Sequence, residues 1–204
     1  MQTFYANDAD DAYEKLAGLL AFNGGQAMNV GLNILDMSEE GFLCETELFP
    51  KAALEAYTDY NLELNNDPNI LATAAQVRWF SPERGGPQGD YRKGMQAKIE
   101  KVVLALKSKS TSKRAVLTVP FTDKCSLCIK TTDDVEWKCL RELYFSIGLN
   151  GRLECAGVMR SQALIIVPKN LHLIGSIMNI VAEQVGVPVG SYTHFCHYLI
   201  TDRT

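Results

Sequence analysis

The fold is decided by residues 153–186, LECAGVMRSQALIIVPKNLHLIGSIMNIVAEQVG. The short apolar runs that open this stretch predict one strand over 153–159 and another over 163–167. Over 170–185 the apolar residues recur at helical spacing, and Gly186 follows them. This pattern predicts an amphipathic helix that ends at a glycine.

The rest of the chain predicts helices and strands in no regular alternation. We expect further helices over 9–22, 51–64 and 94–107 and further strands over 115–119, 142–147 and 191–200. The apolar residues of 26–49 flank a turn at 38–41 and predict a β-hairpin. A short helix is expected to reach Gln76, and the glycines and prolines of 81–90 predict a surface loop. Because no regular βαβ pattern is present, we predict an α+β fold with a mixed or antiparallel sheet, as a single domain over 1–204.

Composition excludes several classes of function. The 204 residues are 47% hydrophobic and 22% charged, which is typical of a globular protein. Twenty Lys and Arg against 24 Asp and Glu give a net charge of −4, so no basic field favours bulk nucleic acid as a partner. The N-terminus is acidic and the apolar runs are shorter than a membrane span. We therefore predict a cytoplasmic protein with no membrane partner, whose cysteines are free thiols, ligands or nucleophiles.

The first candidate for chemistry is Cys139 with Arg160 and Ser161, which lie on neighbouring predicted strands. A guanidinium stabilises a nearby thiolate, and a thiolate is a competent nucleophile. The alternative is that Cys139 is a small buried apolar residue and Arg160 a surface charge. Spacing alone does not decide between them.

Two further candidates concern metal and anion binding. Cys125 and Cys128 form a C-x-x-C pair that zinc could use with Cys139, Cys196, His194 or His197. Because His194 and His197 lie three apart in a predicted strand, they should face opposite sides, so we predict no metal site. Lys113, Arg114 and Arg160 together suit one phosphate monoester, although a solvated basic turn is an equal reading.

Several motifs follow one another in the second half of the chain. They are Tyr91-Arg-Lys-Gly94 with the helix after it, the pair Lys113-Arg114, Cys139 six residues before Phe145, Met159-Arg160-Ser161, Pro168-Lys-Asn170, and the small residues of 182–190 with His197 beyond them. In this order they resemble the thymidylate synthase family of pyrimidine nucleotide C5 methylases and hydroxymethylases, over about residues 91–200.

The resemblance implies a thymidylate synthase-like fold that forms a homodimer through one face of its sheet. The strands over 142–147 and 153–159 would be the natural contact. It implies a one-carbon transferase, a methyltransferase or hydroxymethyltransferase, that acts on a pyrimidine nucleoside monophosphate. The one-carbon donor that it implies is 5,10-methylenetetrahydrofolate.

The resemblance also implies roles for single residues. Cys139 would add to C6 of the pyrimidine, while Arg160 would stabilise the thiolate and bind phosphate. Asn170 would pair with N3–H and O4 of uracil, which favours uridylate over cytidylate. The remaining implied roles are Ser161 and Tyr91 at the substrate, His197 at a sugar hydroxyl, Lys113 and Arg114 at the phosphate of the partner subunit, Glu55 as the catalytic glutamate, and Trp79 beside the cofactor.

Three of the departures of this sequence from the family bear on phosphate and folate binding. Residues 24–35 contain no arginine, although the family's first phosphate-binding arginine lies in the corresponding loop. Ala163 stands where the family has an acidic residue that helps to hold folate, and the sequence ends at Thr204, where the family has a closing segment. These departures leave an alternative open: a nucleotide-binding protein or repurposed enzyme on the same fold that does not use folate.

Overall fold

The computed structural model describes residues 2–64, 91–119 and 138–202. These residues form six strands and four helices. In chain order they are β1 (Gln2–Ala6), α1 (Ala9–Phe22), β2 (Gln26–Ile34), α2 (Lys51–Asn61), α3 (Met95–Ser108), β3 (Val116–Thr118), β4 (Leu140–Ile147), β5 (Leu153–Ala163), α4 (Val167–Val185) and β6 (Val189–Ile200), with a 3-10 turn over Leu164–Ile166 before α4. The predicted α+β class is confirmed.

The six strands form one mixed sheet in the order β1-β2-β6-β5-β4-β3. The pairs β1–β2 and β5–β6 are parallel, and the other neighbours are antiparallel. Cys155 and Tyr192 point to a buried face, whereas Tyr144, Ala156 and Thr193 are exposed on the other. Because side chains alternate along a strand, the sheet has two faces. The described helices pack on one face, and the described residues of the other face are exposed at Tyr144, Ala156 and Thr193.

Helix α1 forms where the sequence predicts it. The Asp8 side chain accepts a hydrogen bond from the Asp11 backbone N–H and so caps the first turn. The helix ends at Asn23, after which Gly24 and Gly25 have positive φ angles of 69° and 92°. The buried side of the helix consists of Ala9, Ala12, Leu16, Leu19 and Leu20.

Helix α4 is the central helix of the core. The segment Leu164–Val185 is long and apolar enough to span a membrane, but most of it is buried inside the fold, so it is a core helix. A Cβ atom on Gly175 would lie 2.4 Å from the Phe42 side chain. Only glycine therefore allows the chain after β2 to pack this closely on α4.

The predicted hairpin over 26–49 is wrong. Only Gln26–Ile34 is a strand, and it pairs with β1 and β6 rather than with the residues after the turn. Phe42 lies beyond that turn and packs its ring at 5.0 Å from the His172 ring of α4. Phe42 therefore packs against a helix and not within a hairpin. Contacts of this kind do not require the alternation of apolar and polar residues that a strand shows.

The predicted strand over 163–167 is also wrong. Ala163 ends β5, a 3-10 turn follows, and α4 begins at Val167 instead of residue 170. Pro168 lies in the first turn of α4, where its missing N–H costs no hydrogen bond. A short run of apolar residues does not distinguish a buried strand from the start of a buried helix.

Other boundaries shift by a few residues. The helix predicted over 51–64 ends at Asn61, and the strands predicted over 142–147 and 153–159 extend to Leu140–Ile147 and Leu153–Ala163. The helix expected to reach Gln76 and the loop expected over 81–90 lie outside the described residues.

Candidate functional site

The structure brings Cys139, Arg160 and Ser161 together at one end of the sheet. The Arg160 backbone N–H donates to the Cys139 carbonyl at 2.8 Å, which continues the pairing of β5 with β4. The Cys139 Sγ lies 3.5 Å from the Ser161 Oγ. The same sulfur accepts a hydrogen bond of 3.9 Å from the Arg160 Nη2. Cys139 is 8% exposed, so a cation and a hydroxyl face its thiol in a mostly buried corner.

Tyr91 contacts the backbone beside Cys139. Its hydroxyl accepts a hydrogen bond of 3.4 Å from the backbone N–H of Leu140, the residue after Cys139. Its own backbone N–H donates to the Asn61 side chain at 2.6 Å, where α2 ends. The Tyr91 hydroxyl therefore lies against the backbone next to the cysteine.

The amide of Asn170 is buried without satisfying its hydrogen bonds. The residue lies in the first turn of α4 and is 2% exposed. Within the described parts of the chain, neither its Oδ1 nor its Nδ2 has a hydrogen-bond partner. Buried polar atoms are almost always paired, so this amide fits a ligand that supplies both a donor and an acceptor.

Lys169, beside Asn170, is a residue that sequence reasoning did not single out. Its side chain is fully buried, and its Nζ lies 4.7 Å from the centre of the Tyr57 ring on α2. Such a cation–π contact stabilises a buried ammonium. No sequence pattern signals it, because lysine in the first turn of a helix is ordinarily exposed.

His197 and His194 lie on opposite faces of β6, as predicted. His197 is exposed, and its Nδ1 lies 2.9 Å from the Oδ1 of Asn29, a residue with a positive φ of 54°. Because Met159 and Ser161 pair with Cys196 and Tyr198, His197 lies beside Arg160 across the two parallel strands. The sheet therefore carries the predicted sugar ligand next to the predicted phosphate ligand.

His194 belongs to the core instead. Its Nδ1 lies 2.9 Å from the Tyr192 hydroxyl, and burial lowers the pKa of the imidazole to about 4. A neutral, buried histidine of this kind is a packing group.

Lys113 and Arg114 are far from Cys139 within one chain. Both are exposed in the turn before β3, where the Ala115 carbonyl accepts from the Phe145 N–H. Cys139 stands six residues before Phe145, which corresponds to about 20 Å at roughly 3.4 Å per strand residue. Lys113 also lines a pocket of about 590 Å³ on the open sheet face.

Glu55 is not brought to Cys139. Its side chain is 54% exposed and lies 3.9 Å from Lys51 on the same helix. It lines a groove of about 580 Å³ with Thr58 and His172, whose Oγ1 and Nδ1 atoms are 2.7 Å apart. The helix turns Tyr57, rather than Glu55, toward the start of α4.

The remaining candidates concern cofactor and metal. Trp79, Cys125 and Cys128 lie outside the described residues. Across 2–64, 91–119 and 138–202, no group of three or more His, Cys, Asp or Glu side chains could hold a metal ion. Ala163 is 3% exposed in an apolar cluster with Phe49, so this position offers no group to a folate.

Comparison with known proteins identifies solved structures with a similar fold. No family model matches the sequence, and no curated protein does. Among solved structures, the chain is similar to thermostable thymidylate synthase A from Bacillus subtilis, with a TM-score of 0.63 and 15% identity over 93% of this chain and 78% of that one. It is also similar to thymidylate synthase from T4 phage, with a TM-score of 0.66 and 15% identity over 94% and 76% of the two chains. The chain therefore has a thymidylate synthase-like fold.

Proposed function

We propose that the protein is a thymidylate synthase-like enzyme that transfers a one-carbon group to C5 of a pyrimidine nucleoside monophosphate. The observation that carries this proposal is the contact of the Cys139 thiol with the Arg160 guanidinium and the Ser161 hydroxyl. The unsatisfied amide of Asn170, at the start of the helix that follows Ser161, supplies a reader for the base.

The proposed chemistry begins at the thiol. Cys139, as thiolate, adds to C6 of the pyrimidine, and the electrons of the C5–C6 double bond move toward C5 and O4. The carbanion at C5 then attacks the carbon of a one-carbon electrophile, and the bond between that carbon and its carrier breaks, so that the carrier leaves with the electron pair. Loss of the C5 proton to a base restores the double bond and expels the thiolate. Arg160 stabilises the sulfur anion at both ends of this cycle because its charge is fixed.

The base preference follows from the amide of Asn170. An amide can accept from N3–H and donate to O4, which is the pattern of uracil. Cytosine offers an acceptor at N3 and a donor at C4, so only a reoriented amide would fit it. We therefore propose uridylate in preference to cytidylate.

The phosphate is proposed to bind between two subunits. Arg160 and Ser161 supply the ligands of one chain, with His197 at the neighbouring sugar. Lys113 and Arg114 lie about 20 Å from their own Cys139 at strand spacing, so they would serve the partner's site in a homodimer. The open sheet face, with exposed Tyr144 and Thr193, is the proposed contact. The cytoplasm, with its supply of nucleotides, is the proposed compartment.

The identity of the one-carbon donor is a separate question. The resemblance implies methylenetetrahydrofolate, but Ala163 is packed among Phe49, Ala53 and Leu54 where an acid would be needed. The described residues therefore do not fit the family's folate contact, and no step above depends on folate.

A screen of nucleotides tests the proposal. UMP, dUMP, CMP and dCMP are each added with and without methylenetetrahydrofolate, and thermal unfolding and the C5 NMR signal are followed. A ligand at about 100 times its Kd stabilises by about 2.7 kcal/mol, which corresponds to a Tm increase of roughly 5–10 °C. We expect uridylate to stabilise the protein and to lose its C5–H signal. Failure of every nucleotide to stabilise or react would contradict the proposal.

A second function is favoured by Ala163 and by the absence of arginine in residues 24–35. It is nucleotide binding, or a repurposed reaction, on the same fold without folate. In that case nucleotide raises the Tm, Arg160→Ala weakens binding, and the wild type neither exchanges nor substitutes the C5 hydrogen.

A further inference from the structure

Gln162 is a second buried amide without hydrogen bonds, and no motif accounts for it. It lies near the end of β5 and is 2% exposed. Among the described residues, neither its Oε1 nor its Nε2 has a hydrogen-bond partner. Leaving both ends of a buried amide unpaired carries a desolvation cost at each end. An apolar residue here would avoid that cost.

The position of Gln162 connects it to the phosphate corner. It follows Arg160 by two residues on the same strand, so both side chains leave the same face about 7 Å apart. Its neighbour on β6 is Leu199, which has no side-chain hydrogen-bonding group. The next residue, Ala163, enters an apolar cluster. Nothing described around Gln162 therefore requires an amide.

Gln162 and Asn170 are both buried amides without hydrogen bonds among the described residues. Both amides are 2% exposed, and both lack partners at the oxygen and at the nitrogen. A single 3-10 turn separates the end of β5 from the helix that carries Asn170. In both cases the atoms are out of contact with water, so a ligand reaches them only as the covering side chains move.

The chemistry of the amide selects the part of the nucleotide that it meets. The amide needs a donor for Oε1 and an acceptor for Nε2. A phosphate dianion offers only acceptors, and the uracil edge is already paired with Asn170 in the proposed function. A sugar hydroxyl both donates and accepts, and the spacing from Arg160 is roughly the reach from a 5′-phosphate to the sugar hydroxyls.

We propose that Gln162 binds the vicinal hydroxyls of ribose and makes this protein select a ribonucleotide over a deoxyribonucleotide. The inference rests on the proposed function and deepens it by naming the sugar. Two neighbouring hydroxyls satisfy both ends of the amide, whereas a 2′-deoxy sugar leaves one end unpaired. A site built to hydrogen-bond a hydroxyl rejects the analogue that lacks it.

Titration calorimetry with UMP and dUMP tests this inference. We expect the wild type to bind UMP about tenfold more tightly than dUMP. Gln162→Met, of similar volume, should bring the affinity for UMP down to that for dUMP. The matched control is Gln184→Met at an exposed position of α4, which should keep the wild-type ratio.

Thermal unfolding without ligand separates binding from a structural role. Removal of an unsatisfied buried amide should raise the Tm of Gln162→Met by about 2–4 °C. A lower Tm would mean that the amide is satisfied within the chain and would overturn the inference.

The outcomes for the sugar and for the enzyme are distinct. Equal affinity of the wild type for UMP and dUMP, or a ratio that Gln162→Met retains, overturns the role of Gln162. If uridylate still reacts at C5 in that case, the proposed function stands. If neither UMP nor dUMP binds, the role of Gln162 and the uridylate preference are both overturned, whereas binding and reaction of CMP or dCMP in the nucleotide screen would leave the proposed enzyme standing.

Discussion

Cys139, Arg160 and Ser161 meet because two strands pair in one register, although 21 residues separate the cysteine from the arginine. The sequence predicted this meeting because it placed Cys139 and the pair Arg160-Ser161 on neighbouring strands. Gln162 and Lys169 could not be predicted, because one amide or one lysine in an apolar stretch forms no pattern. Their importance appears only from burial and missing or unusual partners.

At the residue scale, Asn170→Asp should change the preferred base. The carboxylate that this substitution introduces would accept a hydrogen bond from the exocyclic amine of cytosine. It has no N–H to donate to O4 of uracil, as the amide of Asn170 does. We expect the affinity ratio of UMP to CMP to fall by about tenfold or more in calorimetry. Asn170→Leu, of similar size, is the control and should lower the affinity for both UMP and CMP. An unchanged ratio in Asn170→Asp would contradict base reading by this residue.

Buried histidines give the protein an acid-sensitive stability. Burial lowers the pKa of His172 and of His194 from 6.5 to about 4. As the pH falls below 6.5, the unfolded chain binds protons that the folded chain does not, so stability decreases until the folded histidines protonate near pH 4. Between pH 6.5 and pH 4, each histidine lowers the free energy of unfolding by about 3 kcal/mol.

Urea unfolding between pH 7 and pH 4 measures this effect. His172→Gln should show a shallower fall in the free energy of unfolding than the wild type. His197→Gln, at an exposed position, should keep the wild-type slope. Equal slopes in all three proteins would argue against buried neutral histidines.

At the scale of elements, the sequence predicts best where local signals agree. Helices α1 and α3 combine helical spacing of apolar residues with clear termini, and their predicted limits differ from the observed ones by at most one residue. The errors over 26–49 and 163–167 arise where apolar residues pack through tertiary contacts. Phe42 is an example, because its partner Gly175 lies far away in the chain.

Gly175→Ala tests the close contact between Phe42 and α4. The added Cβ would lie 2.4 Å from Phe42, so the helix or the preceding segment must shift. We expect the free energy of unfolding to fall by about 2–3 kcal/mol. The control is Gly18→Ala on α1, where nothing beyond the local backbone of the helix lies within 4 Å of the new Cβ. That variant should gain about 0.5–1 kcal/mol from helix propensity, and two equal effects would contradict the packing.

At the scale of the whole molecule, the sheet has one covered and one open face. The open face carries Tyr144, Ala156 and Thr193 and borders the turn with Lys113. The strands were predictable, but the exposure of this face depends on the packing of the four described helices against the other face. It supports the proposed homodimer, in which a basic turn reaches the partner's site.

Mixing two inactive variants tests this sharing of sites. Cys139→Ser lacks the nucleophile, and the double variant Lys113→Ala, Arg114→Ala lacks the distant cations. A heterodimer restores one complete site of two, so random mixing should recover about a quarter of wild-type turnover. Native mass spectrometry confirms that heterodimers form. Heterodimers without activity, or full activity of the double variant alone, would contradict sharing.

The central claim is that Cys139 adds to C6 of a bound pyrimidine nucleotide. Its most direct test is exchange of the C5 hydrogen of UMP and dUMP for deuterium in heavy water, followed by NMR for the wild type and for Cys139→Ala. Addition at C6 makes C5 basic, so we expect exchange with the wild type and none with the variant, while calorimetry shows that the variant still binds the nucleotide. The claim would be contradicted if exchange persisted in Cys139→Ala. It would also be contradicted if the wild type bound uridylate and its one-carbon donor but never exchanged or substituted the C5 hydrogen.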